Sequence, residues 1–422
     1  MTHRNELIAP RPSPSTAKGI AGKLADMRQR GPFHALLSAL SYAILVAMAW
    51  VMLRWAISPT WSAASVADCR DILGDIHGKA CWGVIRERWV QLLVGFYPRD
   101  LIWRPTVAFV LFGLGVAALL SPRATGPLRK VGVLAFVACP YLLWGGSIAS
   151  WVIAAVAFAL IMLAMKRTQG RPIFQRVFVV LLISTFGLLV VQNIQTFGSL
   201  QDYGLKPVTS REFGGFLLSF LIGASAIAFS LPLGIALALG RTSKLPFLRG
   251  ASTTFIEFIR GVPLITLLFI ASTLLNIFLP PRSNFDIVMR VVIMVTLFAS
   301  AYIAEIIRGA LSAVPTGQAE GAASLGLNYW QTQRLIILPQ ALKISIPGIV
   351  STFIAVFKDT TLVSIIGLLD PLGLANNIRA DSAWTGIVWE IYGFAALIFF
   401  IFCFAMSQYS MWLERQLKTD HH

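Results

Sequence analysis

Residues 320–339 crowd Glu320, Asn328, Gln331, Gln333 and Arg334 between apolar runs long enough to cross a bilayer. Such groups cannot rest in hydrocarbon, so this stretch must emerge on one face of a membrane. Its order predicts two short helices. The run Ala322-Ala323-Ser324 forms the first, and Gly326 ends it by taking the left-handed backbone that follows a helix C-terminus. Asn328 with Gln331 three residues later is a capping-box pattern opening the second, which Pro339 is expected to stop or bend. Two short helices joined at a glycine make a surface knob suited to a soluble partner.

Other charged positions have a different character. Lys358 and Asp359, followed by Thr360, sit inside a later apolar run, where charge is costly and tends to mark a pathway or a self-satisfying structural pair. Successive helical residues point about 100° apart, so sharing one cavity is not assured by adjacency. Glu257 and Arg260, and again Glu305 and Arg308, are three apart and share a helix face, so each is expected to pair. Bracing of a span end is the main reading of both pairs, with Glu305 also a pathway candidate.

The elements carrying these groups are membrane helices. Of 422 residues, 56% are hydrophobic and only 13% charged, a multi-span composition. At about 20 apolar residues per span, the chain offers ten candidates: 34–57, 104–120, 131–144, 148–165, 177–194, 214–238, 255–279, 287–307, 344–366 and 389–412. The fold expected is an all-α integral membrane protein. The first thirty residues are polar and lack the short apolar core of a cleavable signal peptide.

Charge sets the orientation. With both termini in the cytoplasm, 22 of the 35 basic residues fall on inner segments or inner span ends, and the outer segment 58–103 is neutral. The net charge of +16 is thus spread between spans rather than gathered for nucleic acid. This orientation puts residues 308–343 inside. Cys69 and Cys81, in the outer segment, can bond in an oxidising compartment or remain thiols. Beyond Cys81, Trp82, Ile85, Trp89, Leu92 and Phe96 recur at helical spacing, an expected amphipathic helix lying in the outer interface. The five histidines show no metal-ligand spacing, no nucleophile motif appears, and no G-x-x-x-x-G-K-[ST] phosphate loop is present.

The spacing of Glu320, Gly326 and Ile336-x-Leu338-Pro339 resembles the EAA signature of bacterial ATP-binding-cassette importer permeases, with Gly321 and Ala322 where two alanines are usual. The glycine lowers local helix propensity by roughly 1 kcal/mol. Residues 256–264, Ile-Glu-Phe-Ile-Arg-Gly-Val-Pro-Leu, resemble the E-x-x-R-G-x-P-L string of the polar-amino-acid subfamily. So do residues 301–310, the Gly317-Gln318 pair and Leu338-Pro339-Gln340-Ala341-Leu342. The whole chain is similar to permease subunits of general L-amino-acid importers, which carry extra spans ahead of a five-helix core.

The resemblance implies a cytoplasmic tail (1–33), a five-span extension (34–205) and a five-helix type I importer core (206–422) with its coupling loop at 308–343. Glu320, Gly321, Ala322, Gly326, Ile336, Leu338 and Pro339 would meet the ATPase. Lys358, Asp359, Thr360 and Glu305 would line the path of a zwitterionic amino acid, whose carboxylate needs a cation and whose amine needs an anion. The chain would be a non-catalytic inner-membrane subunit without cofactor. ATP and magnesium would belong to two cytoplasmic ATPases, alongside a second, different permease chain and a periplasmic amino-acid-binding protein. A stand-alone secondary transporter is the alternative. It needs no cytosolic partner, and it sits poorly with the coupling-loop spacing and the lack of an internal repeat.

Overall fold

In the computed structural model, residues 32–74, 78–121, 126–148, 204–274 and 286–417 are described, with isolated positions between them. Two compact units divide at Arg86 and Glu87.

The first unit begins with helix α1 (Pro32–Ala56). Its apolar side chains are exposed all round, Trp50, Val46 and Met52 among them, the surface a lipid-facing span presents. A compact cap follows. Ser65 accepts from the Asp68 N–H to open α2 (Val66–Leu73), and a disulfide joins Cys69 to Cys81. Trp82 stacks on Trp61 at 5.5 Å and meets Trp55 edge-on at 5.6 Å. Its indole N–H donates to the Ala56 carbonyl at 2.7 Å.

The second unit takes in most of α3 (Gly83–Val94), α4 (Trp103–Leu120) and α5 (Gly126–Trp144). After the undescribed stretch it continues through α6 (Gly215–Arg241), α7 (Pro246–Gly261), α8 (Leu264–Phe269) and α9 (Ile287–Ala313). The last elements are α10 (Thr316–Ser324), α11 (Tyr329–Thr332), α12 (Leu338–Asp359), α13 (Pro371–Ala380) and α14 (Trp389–Leu417). The single sheet described is a two-residue pairing of Gly146–Ser147 with Gly204–Leu205.

Between lipid-embedded helices the hydrophobic effect is weak, and close packing at small residues replaces it. The central pair, α6 and α9, meets in this way. A Cβ on Gly234 would lie 2.6 Å from Ile303 Cγ2, so only glycine fits the crossing. Around this contact Ala238, Ile256, Ile303, Ala304 and Ile307 are buried together.

Six described helices are long and apolar enough to cross a membrane, or seven if a bent pair counts as one span. The described residues do not decide the count of ten, because the candidates 148–165 and 177–194 lie almost wholly outside them. The expected span 255–279 is corrected. Helix α7 begins at Pro246, and the chain turns by 102° before residues 264–273. Pro263 causes this, because its ring drives Val262 to φ −103° and ψ 130°, outside the helical region. The span expected at 344–366 is α12, which ends at Asp359 and runs on as a 3₁₀ segment to Ile366.

The expected interfacial stripe on α3 is also corrected. Ile85 and Leu92 are buried while Trp89 and Phe96 are exposed. The Gly214–Gly215 backbone packs against the end of this helix: a Cβ on Gly215 would meet the Leu92 carbonyl, and Gly95 lies against Gly214. A helix so wedged cannot keep a whole apolar face for lipid.

Candidate functional site

The polar island folds into the two-helix knob. Helix α10 starts at Thr316, earlier than its alanines require, and ends at Gly326 with φ +74°. The Gly326 N–H reaches the Ala323 carbonyl at 2.9 Å and the Leu327 N–H reaches Ala322 at 3.2 Å, closing the helix end. Asn328 Oδ1 accepts from the Gln331 N–H at 3.0 Å and the Asn328 N–H donates to Gln331 Oε1 at 2.9 Å, a complete capping box. Glu320 and Gly321 are exposed, and a Cβ on Gly321 would meet nothing. Ala322 is buried at 1% exposure and anchors the knob, while Ile336 and Leu338 are half-buried.

Pro339 departs from expectation, since it neither stops nor sharply bends the helix. Residues 333–337 form a π turn in which the Leu338 N–H reaches back to Gln333, and Pro339 falls in the first turn of α12. A wide turn accommodates a ring that would strike the preceding turn of an ordinary helix. Gln340 Nε2 then donates to the Ile336 carbonyl at 3.0 Å and to Gln318 Oε1 at 3.1 Å. This second bond ties α10 to α12. Both glutamines were visible in the sequence, but nothing in their spacing announced that they meet.

Beside the knob's entry, the charged side chains form one cluster rather than two local pairs. Arg241, at the end of α6, donates to Glu305 Oε2 at 2.9 Å and to Glu257 Oε1 at 2.8 Å. Arg308 holds Glu305 Oε1 at 2.6 Å, as its spacing suggests. The pairing of Glu257 with Arg260 is corrected. Arg260 lies over the Tyr302 ring at 5.5 Å and 3.9 Å from Glu305. A guanidinium bridging two carboxylates satisfies more charge than a pair along one helix, and this favours Arg241. That residue carried no motif in the sequence; its position just after a span was the only available signal.

The third group lies at the far end of α12. Phe357 is buried, the Lys358 side chain is exposed, Asp359 is half-buried, and Thr360 is fully buried with its hydroxyl donating to the Phe357 carbonyl at 2.8 Å. Neither the Lys358 ammonium nor the Asp359 carboxylate forms an ion pair or hydrogen bond among the described residues. The two side chains therefore form no direct ion pair with each other, although the ammonium still acts on the carboxylate through space. Both oxygens of Glu305, by contrast, are engaged by arginines.

Residues 230–419, which include the knob, the ion cluster and the Lys358 segment, match the model of the binding-protein-dependent transport system inner membrane component. Over 99% of its length the chain is 48% identical to the glutamate/glutamine/aspartate/asparagine transport system permease protein BztC of Rhodobacter capsulatus, covering 98% of that protein. The chain belongs to this permease family. A second relative is the inner membrane amino-acid ABC transporter permease protein YhdY of Escherichia coli, 38% identical over 87% of this chain and 85% of its own. Among solved structures, a chain from the crystal structure of an amino acid ABC transporter with histidines is 30% identical. It covers 48% of this permease and 91% of itself, at a TM-score of 0.43. Family membership makes this permease a multi-pass protein of the inner membrane.

Proposed function

We propose that this permease forms the translocation path of an ATP-driven amino-acid importer. The relatives' names support this cargo class: BztC is named for glutamate, glutamine, aspartate and asparagine, and YhdY for amino acids. The single observation that carries the coupling part is the exposed knob 316–332. It bears Glu320 at its surface and leads through an unbroken turn into α12.

In this reading both termini and residues 308–343 face the cytoplasm, 34–205 is an extension, and 206–422 is the transport core. Glu320, Gly321, Gly326, Ile336, Leu338 and Pro339 form the surface seated on an ATPase, with the buried Ala322 holding that surface in shape. Two such ATPases bind ATP and magnesium, so this chain carries no catalytic residue. A different, homologous permease completes the membrane pair, and a periplasmic binding protein delivers the amino acid. Lys358 and Asp359 line the path, the cation facing a carboxylate and the anion an ammonium, with Thr360 buried behind them. Glu257, Arg260, Glu305 and Arg308 brace the inner ends of the spans with Arg241.

Nucleotide-driven closure of the ATPases moves the knob, and the knob shifts the balance between two states of the spans. The test is ATP hydrolysis by the assembled complex in lipid, for wild type and Glu320→Lys, with and without loaded binding protein. Loss of stimulation in an intact assembly is expected; unchanged stimulation by the variant would overturn the coupling assignment.

A further inference from the structure

A line of phenylalanine rings runs from the extension to the residue preceding Lys358. Phe136 of α5 meets Phe112 of α4 edge-on at 4.9 Å, and Phe112 meets Phe220 of α6 edge-on at 4.8 Å. Phe109 of α4 joins at 4.9 Å from Phe220 and stacks at 6.5 Å from Phe216. Phe216 lies 6.1 Å from Phe220 and meets Phe357 of α12 at 6.0 Å. Phe357 is 3% exposed and is closed in by Phe399 and Phe402 of α14 at 5.4 and 6.1 Å. On its remaining side a Cβ added to Gly223 would lie 2.7 Å from the Phe357 ring, so α12 sits as close to α6 as a glycine permits.

We infer that Phe109 and Phe112 are positioning residues for transport: through Phe220 and Phe216 they set the placement of Phe357, and with it the neighbouring Lys358 and Asp359. The physical case has three parts. Helix packing in lipid depends on direct contact, because lipid tails compete equally for apolar surface. Aromatic pairs carry orientation as well as attraction, since edge-to-face and offset geometries are preferred. Finally, Phe216 touches Phe399 and Phe402 of α14 at 5.7 and 4.8 Å as well as Phe357, and those two rings also close in Phe357, so a shift of Phe216 bears on Phe357 both directly and through α14. The extension is in this sense part of the path's wall, set one ring behind it. The inference rests on the reading that Lys358 and Asp359 face the cargo.

The test uses the complete complex in proteoliposomes, with its ATPases and binding protein, and measures uptake of labelled glutamate and labelled glutamine separately. Phe112→Ala is expected to change the ratio of the two uptakes, with Phe112→Leu, which refills most of the volume, restoring it. A fault of folding or assembly lowers both uptakes in proportion and leaves the ratio alone. Residues linked through shared packed neighbours, as Phe112 and Phe357 are through Phe220 and Phe216, couple by energies equivalent to about a twofold to 150-fold change. The double variant Phe112→Ala with Phe357→Leu is therefore expected to fall short of the product of the single effects. Phe400→Ala, on the exposed side of α14, is the control and leaves the ratio unchanged.

Lys358→Gln separates the two ideas. If it leaves the ratio as in wild type, the assignment of the path fails and takes the inference with it. If it shifts the ratio while Phe112→Ala lowers both uptakes equally, or while Phe112 and Phe357 act independently, the positioning role alone is overturned.

Discussion

Asp370 shows how one side chain can be both support and burden. Its carboxylate accepts from the Leu372 and Gly373 N–H groups at 3.2 and 2.9 Å, capping α13, yet it is fully buried. Burial outweighs the two backbone hydrogen bonds and raises its pKa from 3.8 to about 6. A carboxyl whose folded pKa lies above its unfolded one holds its proton longer when folded. Its stabilising share is complete below about pH 4 and is lost as the pH rises through 6. Asp370→Asn keeps an oxygen acceptor without that liability. The stability of the variant relative to wild type is expected to grow between pH 4 and pH 6, by roughly 1–3 kcal/mol, and to stay level above. Thermal unfolding in detergent across this range reads it, and a difference that does not vary with pH would refute the account. Asp370-Pro371 is an N-cap residue with proline at the first helical position, a local pattern that the sequence reading did not single out. Its burial was not legible there, since that depends on elements far away in the chain.

Among the elements, helix termini were easier to read than helix partners. Asn328, Gln331 and Gly326 act on neighbours within a few residues, and the knob formed as their types dictate. The ion cluster joins the ends of α6, α7 and α9, and a local pairing rule gave Glu257 the wrong arginine. Arg241 is the hub because it alone reaches both carboxylates within hydrogen-bond distance. Its side chain is only 20% exposed, whereas that of Arg260 is 33% exposed and its approach to Glu305 is longer. Arg241→Ala is therefore expected to cost about 1–3 kcal/mol, and Arg260→Ala under about 1 kcal/mol. Melting of the two purified variants under identical conditions gives the order; equal losses would mean that the cluster has no hub.

For the molecule as a whole, length and hydropathy located most of the described helices, but they could not show that α7 and α8 break at Pro263 by 102°. Hydropathy is indifferent to the direction of the chain. Likewise, hydropathy could not show the packing boundary at Arg86 and Glu87, because α3 to α5 are built against the later helices. The smaller unit depends on its own clamp. Cys69 and Cys81, 12 residues apart, close a loop whose restraint on the unfolded chain is worth about 3 kcal/mol. Reductant is expected to lower the unfolding temperature of wild type and to leave that of Cys69→Ser unmoved; an equal response in both would remove the clamp from the account. Finally, residues Tyr329–Ile366 form one continuous 38-residue helical stretch, about 55 Å long at helical rise. The π turn takes up Pro339 without a sharp break, so a stretch of this kind can pass on tilt as a lever arm, with Pro347 inside α12 as its point of give. Each degree of tilt at its base swings its tip by roughly 1 Å over that length, so a small rocking of the knob is geared up into a displacement as wide as an atom.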